Sequence, residues 1–100
     1  MKDEELENII EQTINGAIMT IPAYMEEIKE NKETFKVENP QEFVYGMVMG
    51  MALGMSGAFL SAQSEAPTTE DQLKVRDIVY RNIPQIRERI FNWLDFLQKR

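Results

Sequence analysis

The chain has 100 residues, of which 43% are hydrophobic and 28% charged, a composition suited to one folded domain and too apolar for intrinsic disorder. It has neither Cys nor His, which excludes thiol nucleophiles, disulfides, most zinc sites and the usual acid–base side chain. The net charge of −6 is divided as −8 over residues 1–66 and +2 over residues 67–100, which disfavours nucleic-acid binding and lets the two parts attract each other.

The N-terminal third of the chain predicts an amphipathic helix. Its apolar residues recur every three or four positions: Leu6, Ile10, Ile14, Ala17, Ile18, Ile21, Met25 and Ile28. Pro22 interrupts this pattern because it has no N–H to donate and its ring presses on the carbonyl of Ile18. Either one helix kinks at Pro22, or a second helix begins there with Thr20 as its N-cap.

Residues 31–38 lose the helical period and are predicted to form a connection. The next four residues, Asn39 to Glu42, combine a capping residue, a proline at the first helical position and a glutamate placed to reach back to the cap. This pattern predicts a helix that starts at Pro40 and runs to about Gln63.

A last helix is predicted to open at Thr68 or Thr69, after Pro67 ends the preceding segment. Gln72 is placed for a second capping box, and Pro84 is expected to interrupt the helix as Pro22 interrupts the first. The apolar stripe of this helix is Val75, Val79, Ile83, Ile86, Ile90, Leu94 and Leu97.

The predicted central helix carries no charged residue between Glu42 and Glu65 and is apolar on every side. Such a helix is either wholly buried in protein or spans a membrane. Small residues recur every four positions along one side, at Gly46, Gly50, Gly54, Ala58 and Ala62. We call these five residues the small-residue row.

Glycine at this spacing lets another helix backbone approach closely, so the row predicts a helix-packing interface. The partner is either the same helix of a second copy or the first helix of the same chain, whose small face includes Gly16 and Ala17. A transmembrane role is disfavoured because the segment is rich in Gly and Ser and no Lys or Arg cluster flanks it.

Met47, Met51 and Met55 form a second stripe beside the small-residue row. Thioethers at this spacing can bind Cu(I) or line a pocket for an apolar ligand. We expect them instead to fill gaps in packing, because no Cys or His assists, and we expect no metal or cofactor. The acidic clusters near Glu4 and Glu27 are interpreted as a solvated face.

The C-terminal helix has more aromatic residues than one buried face needs. Phe91, Trp93 and Phe96 are candidates for a protein partner surface, and wrapping by neighbouring helices explains them equally well.

These patterns predict an all-α domain over residues 1–100: three long helices, the outer two kinked by proline into up to five segments, around a buried Gly- and Met-rich central helix. We expect a non-enzymatic interaction protein that self-associates as a homodimer. The acidic N-terminus lacks the features of an export signal, so a cytoplasmic location is expected. The alternatives are a membrane-associated small protein and a carrier of an apolar ligand or metal.

Overall fold

The computed structural model describes residues 3–63 and 68–92, and all regular structure within these ranges is helical. The helices are α1 (Asp3–Met19), α2 (Ile21–Glu30), α3 (Lys32–Phe35), α4 (Pro40–Gln63), α5 (Thr69–Arg81) and α6 (Ile83–Phe91). The predicted all-α class is therefore confirmed. There is one helical segment more than the five expected, because the chain forms a helical turn where a connection was predicted.

Helices α1 and α2 are separated at Thr20, with Pro22 in the first turn of α2. Proline fits there because its missing N–H has no helical partner in the first turn. The expected capping bond is absent, because the Thr20 hydroxyl donates to the carbonyl of Ala17 in the preceding turn. Seven of the eight apolar residues predicted for this stripe are buried, and Met25 is partly buried.

The single-turn helix α3 lies within the segment expected to be irregular. It ends at Lys36, which adopts a left-handed conformation with φ of 52° and turns the chain toward α4. The ring of Phe35 packs edge-on against Phe43 in α4, with 6.0 Å between the ring centroids. Residues 31–38 thus form a turn anchored to the start of α4.

Helix α4 begins at Pro40, as the sequence predicted, and its described part extends to Gln63. The side chain of Asn39 accepts a hydrogen bond of 3.1 Å from the backbone N–H of Glu42, as an N-cap does. Glu42 does not reach back to Asn39 and instead pairs with Arg87 of α6. The reciprocal half of the predicted capping box is therefore wrong, because an arginine competes for the carboxylate.

Helix α5 begins with a capping box formed by Thr68 and Asp71, where Gln72 was expected to be the partner. The chain breaks again at Asn82, and Pro84 lies in the first turn of α6. The buried residues of these two helices are Val75, Ile78, Val79, Ile86 and Ile90. The predicted residues Leu94 and Leu97 lie outside the described residues.

The core forms where α4 packs against α1, α2, α5 and α6. Ion pairs join the acidic first part of the chain to the basic second part, as the charge division suggested: Asp3 with Lys74 at 3.1 Å, Glu7 with Arg81, and Glu42 with Arg87 at 3.3 Å. The acidic clusters are exposed to solvent, as interpreted from the sequence, and Asp3 and Glu7 keep 78% and 44% of their side-chain surface exposed while paired.

The expectation that α4 is buried on every side is wrong for the single chain. Of its 24 residues, only five are classed as buried: Val44, Val48, Ala52, Ser56 and Leu60. Helices α1, α2, α5 and α6 pack against one side of α4 and leave its opposite side exposed. The outer side of α4 is therefore exposed although it carries no charged residue, and the contacts within the chain do not account for this combination.

Candidate interaction surface on helix α4

Two rows of residues run along opposite sides of α4. The buried row is Val44, Val48, Ala52, Ser56 and Leu60, each at most 6% exposed. The small-residue row, from Gly46 to Ala62, is exposed at all five positions. Because successive residues turn by about 100° around a helix, a shift of two residues places one row nearly opposite the other. The sequence-predicted interface residues therefore face away from the core.

The small-residue row has no neighbour in the described part of the chain. A Cβ atom added at Gly46, Gly50 or Gly54 would meet no atom within 4 Å, apart from its own helix backbone and chain neighbours. Gly16 of α1 also has open space beside it, while Ala17 is buried in the core. The alternative in which α1 packs on the row is therefore wrong, and the second-copy alternative stays a prediction.

Larger apolar side chains border the small-residue row on both sides. One flank contains Met51, whose sulfur lies 4.0 Å from the hydroxyl of Tyr24 in α2, and Met55, which is 57% exposed. The other flank contains Leu53, which is 36% exposed, and Tyr45, which lies under Arg87 of α6. The row is thus the bare centre of a wider apolar surface, and sequence analysis missed the contribution of Leu53.

The electrostatics of this surface are set at its N-terminal end. Glu42 lies four residues before Gly46, in line with the small-residue row, and no charged residue follows before Glu65. Arg87 pairs with Glu42 and lies 4.8 Å from the Tyr45 ring centroid and 4.5 Å from that of Phe91. Arg87 therefore neutralises Glu42 while packing between two rings.

The C-terminal aromatic residues predicted as a partner surface are only partly described. Phe91 is half-buried, packs against the core and lies beneath the guanidinium of Arg87. Its ring therefore takes part in packing within the chain. Trp93 and Phe96 lie outside the described residues.

The methionine stripe lines none of the three main cavities of the described chain. The largest of these three, about 410 Å³, lies at the end of α2 and is lined by Met25, Glu26, Ile28, Lys29, Lys32, Val37, Glu38 and Pro40. No group of three or more acidic side chains within the described residues is placed to hold a metal ion. Because no methionine of the stripe lines this cavity, the cavity is separate from the stripe beside which an apolar ligand was considered.

The core side of α4 holds one polar atom that sequence analysis missed. Ser56 is 1% exposed, and its hydroxyl has no hydrogen-bond partner among the described residues. The signal was present in the sequence, because Ser56 continues the four-residue spacing from Val44 through Val48 and Ala52. Reading that row as the core side would have turned the small-residue row outward.

By length and composition, α4 is the one described helix long and apolar enough to cross a membrane. Buried residues make up 28% of its most apolar window, and the remaining residues of that window are partly or largely exposed. Core helices of soluble proteins pass the same test of length and composition, although they are mostly buried.

The candidate surface therefore consists of the small-residue row, the larger apolar side chains on both sides of it, and Glu42, which is paired with Arg87, at its N-terminal end. No known family, curated protein or solved structure matches this chain.

Proposed function

We propose that this chain is a non-enzymatic interaction protein that self-associates as a homodimer, with a second copy packed on the exposed side of α4. The observation that supports the proposal is the exposure of all five residues of the small-residue row, in a helix with no charge between Glu42 and Glu65. Large contiguous apolar surfaces are uncommon on the outside of monomers, and they mark contact sites.

The cost of the glycines also supports a partner. Gly46, Gly50, Gly54 and Gly57 lie inside α4, and each costs about 1 kcal/mol relative to alanine in a helix interior. The resulting total of about 4 kcal/mol is comparable to the stability of a small domain. Nothing within the described chain uses the close approach that glycine allows. A second backbone against the row would offset this cost through dispersion and Cα–H···O contacts.

In the proposed dimer, α4 becomes the central helix buried on every side that its composition predicts. The α1–α2 rod and the α5–α6 rod cover its buried row, and the partner copy covers the small-residue row. The proposed location is the cytoplasm, and the proposed role is that of a small assembly module whose further partners bind the remaining surface.

Replacing Gly50 with leucine tests the proposal. In the single chain leucine meets open space at this position, so the fold should be retained and the helix stabilised. In the dimer the side chain would hold the two backbones apart, so the sedimentation mass should fall from that of two chains to that of one. The matched control is Gly16→Leu, because Gly16 is also an exposed helical glycine with no atom nearby.

The control should keep the wild-type mass while gaining similar helix stability. An unchanged mass and melting temperature for Gly50→Leu, or a wild-type chain that stays monomeric at high concentration, would contradict the proposal. Equal loss of the dimer in both variants would also contradict it, because α1 would then share the interface.

A second candidate function is association with a membrane through α4. The observation that favours it is the largely uncovered apolar window of a helix long enough to span the hydrocarbon core. Purification without detergent separates the two candidates. A monodisperse soluble dimer supports self-association, whereas recovery only in the membrane fraction, with extraction that requires detergent, supports the membrane candidate.

A further inference from the structure

We infer that the cavity of about 410 Å³ at the end of α2 is a binding site for a small carboxylic acid with an apolar chain, whose carboxylate is held by Lys29 and Lys32. None of the lining residues belongs to the small-residue row, so the site is independent of the proposed self-association. Three features of the cavity support this assignment: its apolar interior, a wall fixed from outside, and the unpaired ammonium groups at its mouth.

The interior of the cavity is apolar and its mouth is charged. The apolar lining residues are the less exposed ones: Ile28 is 4% exposed, and Met25, Val37 and Pro40 are partly buried. The charged lining residues are all exposed, and they are Glu26, Lys29, Lys32 and Glu38. Small-molecule sites have volumes of about 300–1,000 Å³ and combine an apolar lining with a few polar groups. A ligand that matches this cavity therefore has an apolar body and a polar head.

One wall of the cavity is fixed by contacts that lie outside it. The wall is the turn over residues 32–38, in which the backbone N–H of Lys36 donates a 2.8 Å hydrogen bond to the carbonyl of Lys32. The edge-on contact of Phe35 with Phe43 ties the same turn to α4, and neither ring lines the cavity. The turn therefore keeps its position without a ligand, and the cavity is preformed, as small-molecule sites usually are.

Lysines without an ion-pair partner are concentrated at this cavity. In α5 and α6, carboxylates pair with the basic side chains of Lys74, Arg76, Arg81 and Arg87. Lys29 and Lys32 at the mouth, and Lys36 four residues further on, have no such partner among the described residues. Glu26 precedes Lys29 by three residues, a spacing that favours ion pairs on a helix, and still leaves its ammonium group unpaired. Two ammonium groups at the mouth are thus available to a ligand.

Carboxylates without a partner do not mark the cavity in the same way. Glu26 and Glu38 line the mouth, but exposed carboxylates with no ion pair among the described residues also occur elsewhere on α1 and α2, for example at Glu5 and Glu30. In the described chain, unpaired ammonium groups occur only between residues 29 and 36. This local feature favours an anionic head group, because ammonium groups attract a carboxylate and donate charge-assisted hydrogen bonds to it.

Titration of the isotope-labelled protein with octanoate, followed by NMR, tests the site and its location. Octanol and octylammonium carry the same chain with a neutral and a positive head. Octanoate should bind about fivefold more tightly than octanol, and octylammonium should bind most weakly, because two exposed ammonium groups contribute modestly to affinity. The amide signals that shift should be those of residues 25–40. The advantage of octanoate over octanol should disappear at about 1 M salt, which screens exposed charges.

Variants identify the groups that hold the carboxylate. Lys29→Gln combined with Lys32→Gln should weaken octanoate binding about fivefold and leave octanol binding unchanged. The matched control is Lys36→Gln, because Lys36 is also exposed and unpaired but does not line the cavity, and it should bind octanoate as the wild type does. Glu38→Gln removes a repelling carboxylate at the mouth and should tighten octanoate binding. All these positions are exposed, so circular dichroism should show unchanged helix content.

Equal affinity of the wild type for octanoate and octanol would overturn the inference, as would an equal loss in the double variant and in Lys36→Gln. Shifts confined to residues 46–62 would also overturn it, because they would place the ligand on the exposed side of α4. None of these measurements depends on the oligomeric state, so a chain that stays monomeric while binding octanoate at residues 25–40 contradicts the proposed function alone.

Discussion

The two sides of α4 have similar spacing and opposite surroundings. The buried row is built from Val, Val, Ala, Ser and Leu, and it packs into the core that α4 forms with α1, α2, α5 and α6. The small-residue row is built from Gly and Ala, and its three glycines have no neighbour within 4 Å of an added Cβ. Both rows recur every four residues, so periodicity alone does not distinguish the core side from an open side.

The residue types on the two sides do make that distinction. A helix packed within its own chain gains stability from buried side chains, so its core side retains branched residues such as Val44 and Val48. A side of Gly and Ala forfeits most of that gain, and glycine at this spacing is typical of close contact between helix backbones. The comparison therefore teaches that side-chain volume, read along each row, indicates which neighbour the row serves.

The largest expected effect comes from placing the same charge on each side. Val48→Asp puts a carboxylate at a position that is 0% exposed, so the free energy of unfolding should fall by about 4 kcal/mol or more. Gly50→Asp puts the same group two residues away in open space, and the stability of the single chain should change by less than about 0.5 kcal/mol. Urea denaturation at concentrations below the association range measures both.

The Gly50→Asp variant also tests assembly. Gly50→Asp should fold and sediment as a single chain, because a carboxylate on the small-residue row would be buried at the proposed interface. If Gly50→Asp unfolds the chain as severely as Val48→Asp, the outward orientation of the row is incorrect.

Much of the helical organisation was predictable because the signals were local. Asn39 and Pro40 fixed the start of α4, Pro22 and Pro84 marked helix breaks, and the three-to-four spacing from Leu6 to Ile28 identified the core residues of α1 and α2. Each of these features depends on backbone geometry or on solvent exposure within a few turns of helix.

One error arose where a distant residue competes with the local pattern, and a second where the N-cap is Thr68, so that its partner three residues later is Asp71. Glu42 pairs with Arg87 and does not form the expected capping bond. Asp71 forms the second capping box, in which Gln72 was the expected partner. The exposure of the small-residue row was not predicted because α4 is apolar on all sides, and only the difference in side-chain volume between its two rows distinguishes them. Local spacing fixed the row, and tertiary packing fixed its neighbours.

A smaller effect is expected from removing the one unpartnered polar atom on the core side. Ser56→Ala deletes a hydroxyl that is buried without a hydrogen bond, and alanine is also the better helix former. The free energy of unfolding should rise by about 1 kcal/mol, measured by urea denaturation. The control is Ser61→Ala, an exposed serine of the same helix, which should gain only the difference in helix propensity, about 0.5 kcal/mol. Destabilisation by Ser56→Ala would show that the hydroxyl has a partner and that the core side is less apolar than described.

The smallest expected effect contrasts the uncharged surface of α4 with the charged edge between α1 and α5. The carboxylate of Asp3 accepts a 3.1 Å hydrogen bond from Lys74 and attracts its charge, which raises the pKa of Lys74 above its ordinary value of 10.5. A raised pKa in the folded chain stabilises it below pH 10.5, and this stabilisation is lost as pH rises through the folded-state pKa. Because the pair lies at the surface, with Asp3 78% and Lys74 38% exposed, the difference in unfolding free energy between the wild type and Lys74→Gln should be small at neutral pH. That difference should shrink further above pH 10.5.

Self-association, in contrast, should not change from about pH 6 to about pH 9, because the proposed surface has no charged residue between Glu42 and Glu65. A dimer dissociation constant that shifts strongly within that range would place titrating groups at the interface, which the small-residue row does not contain.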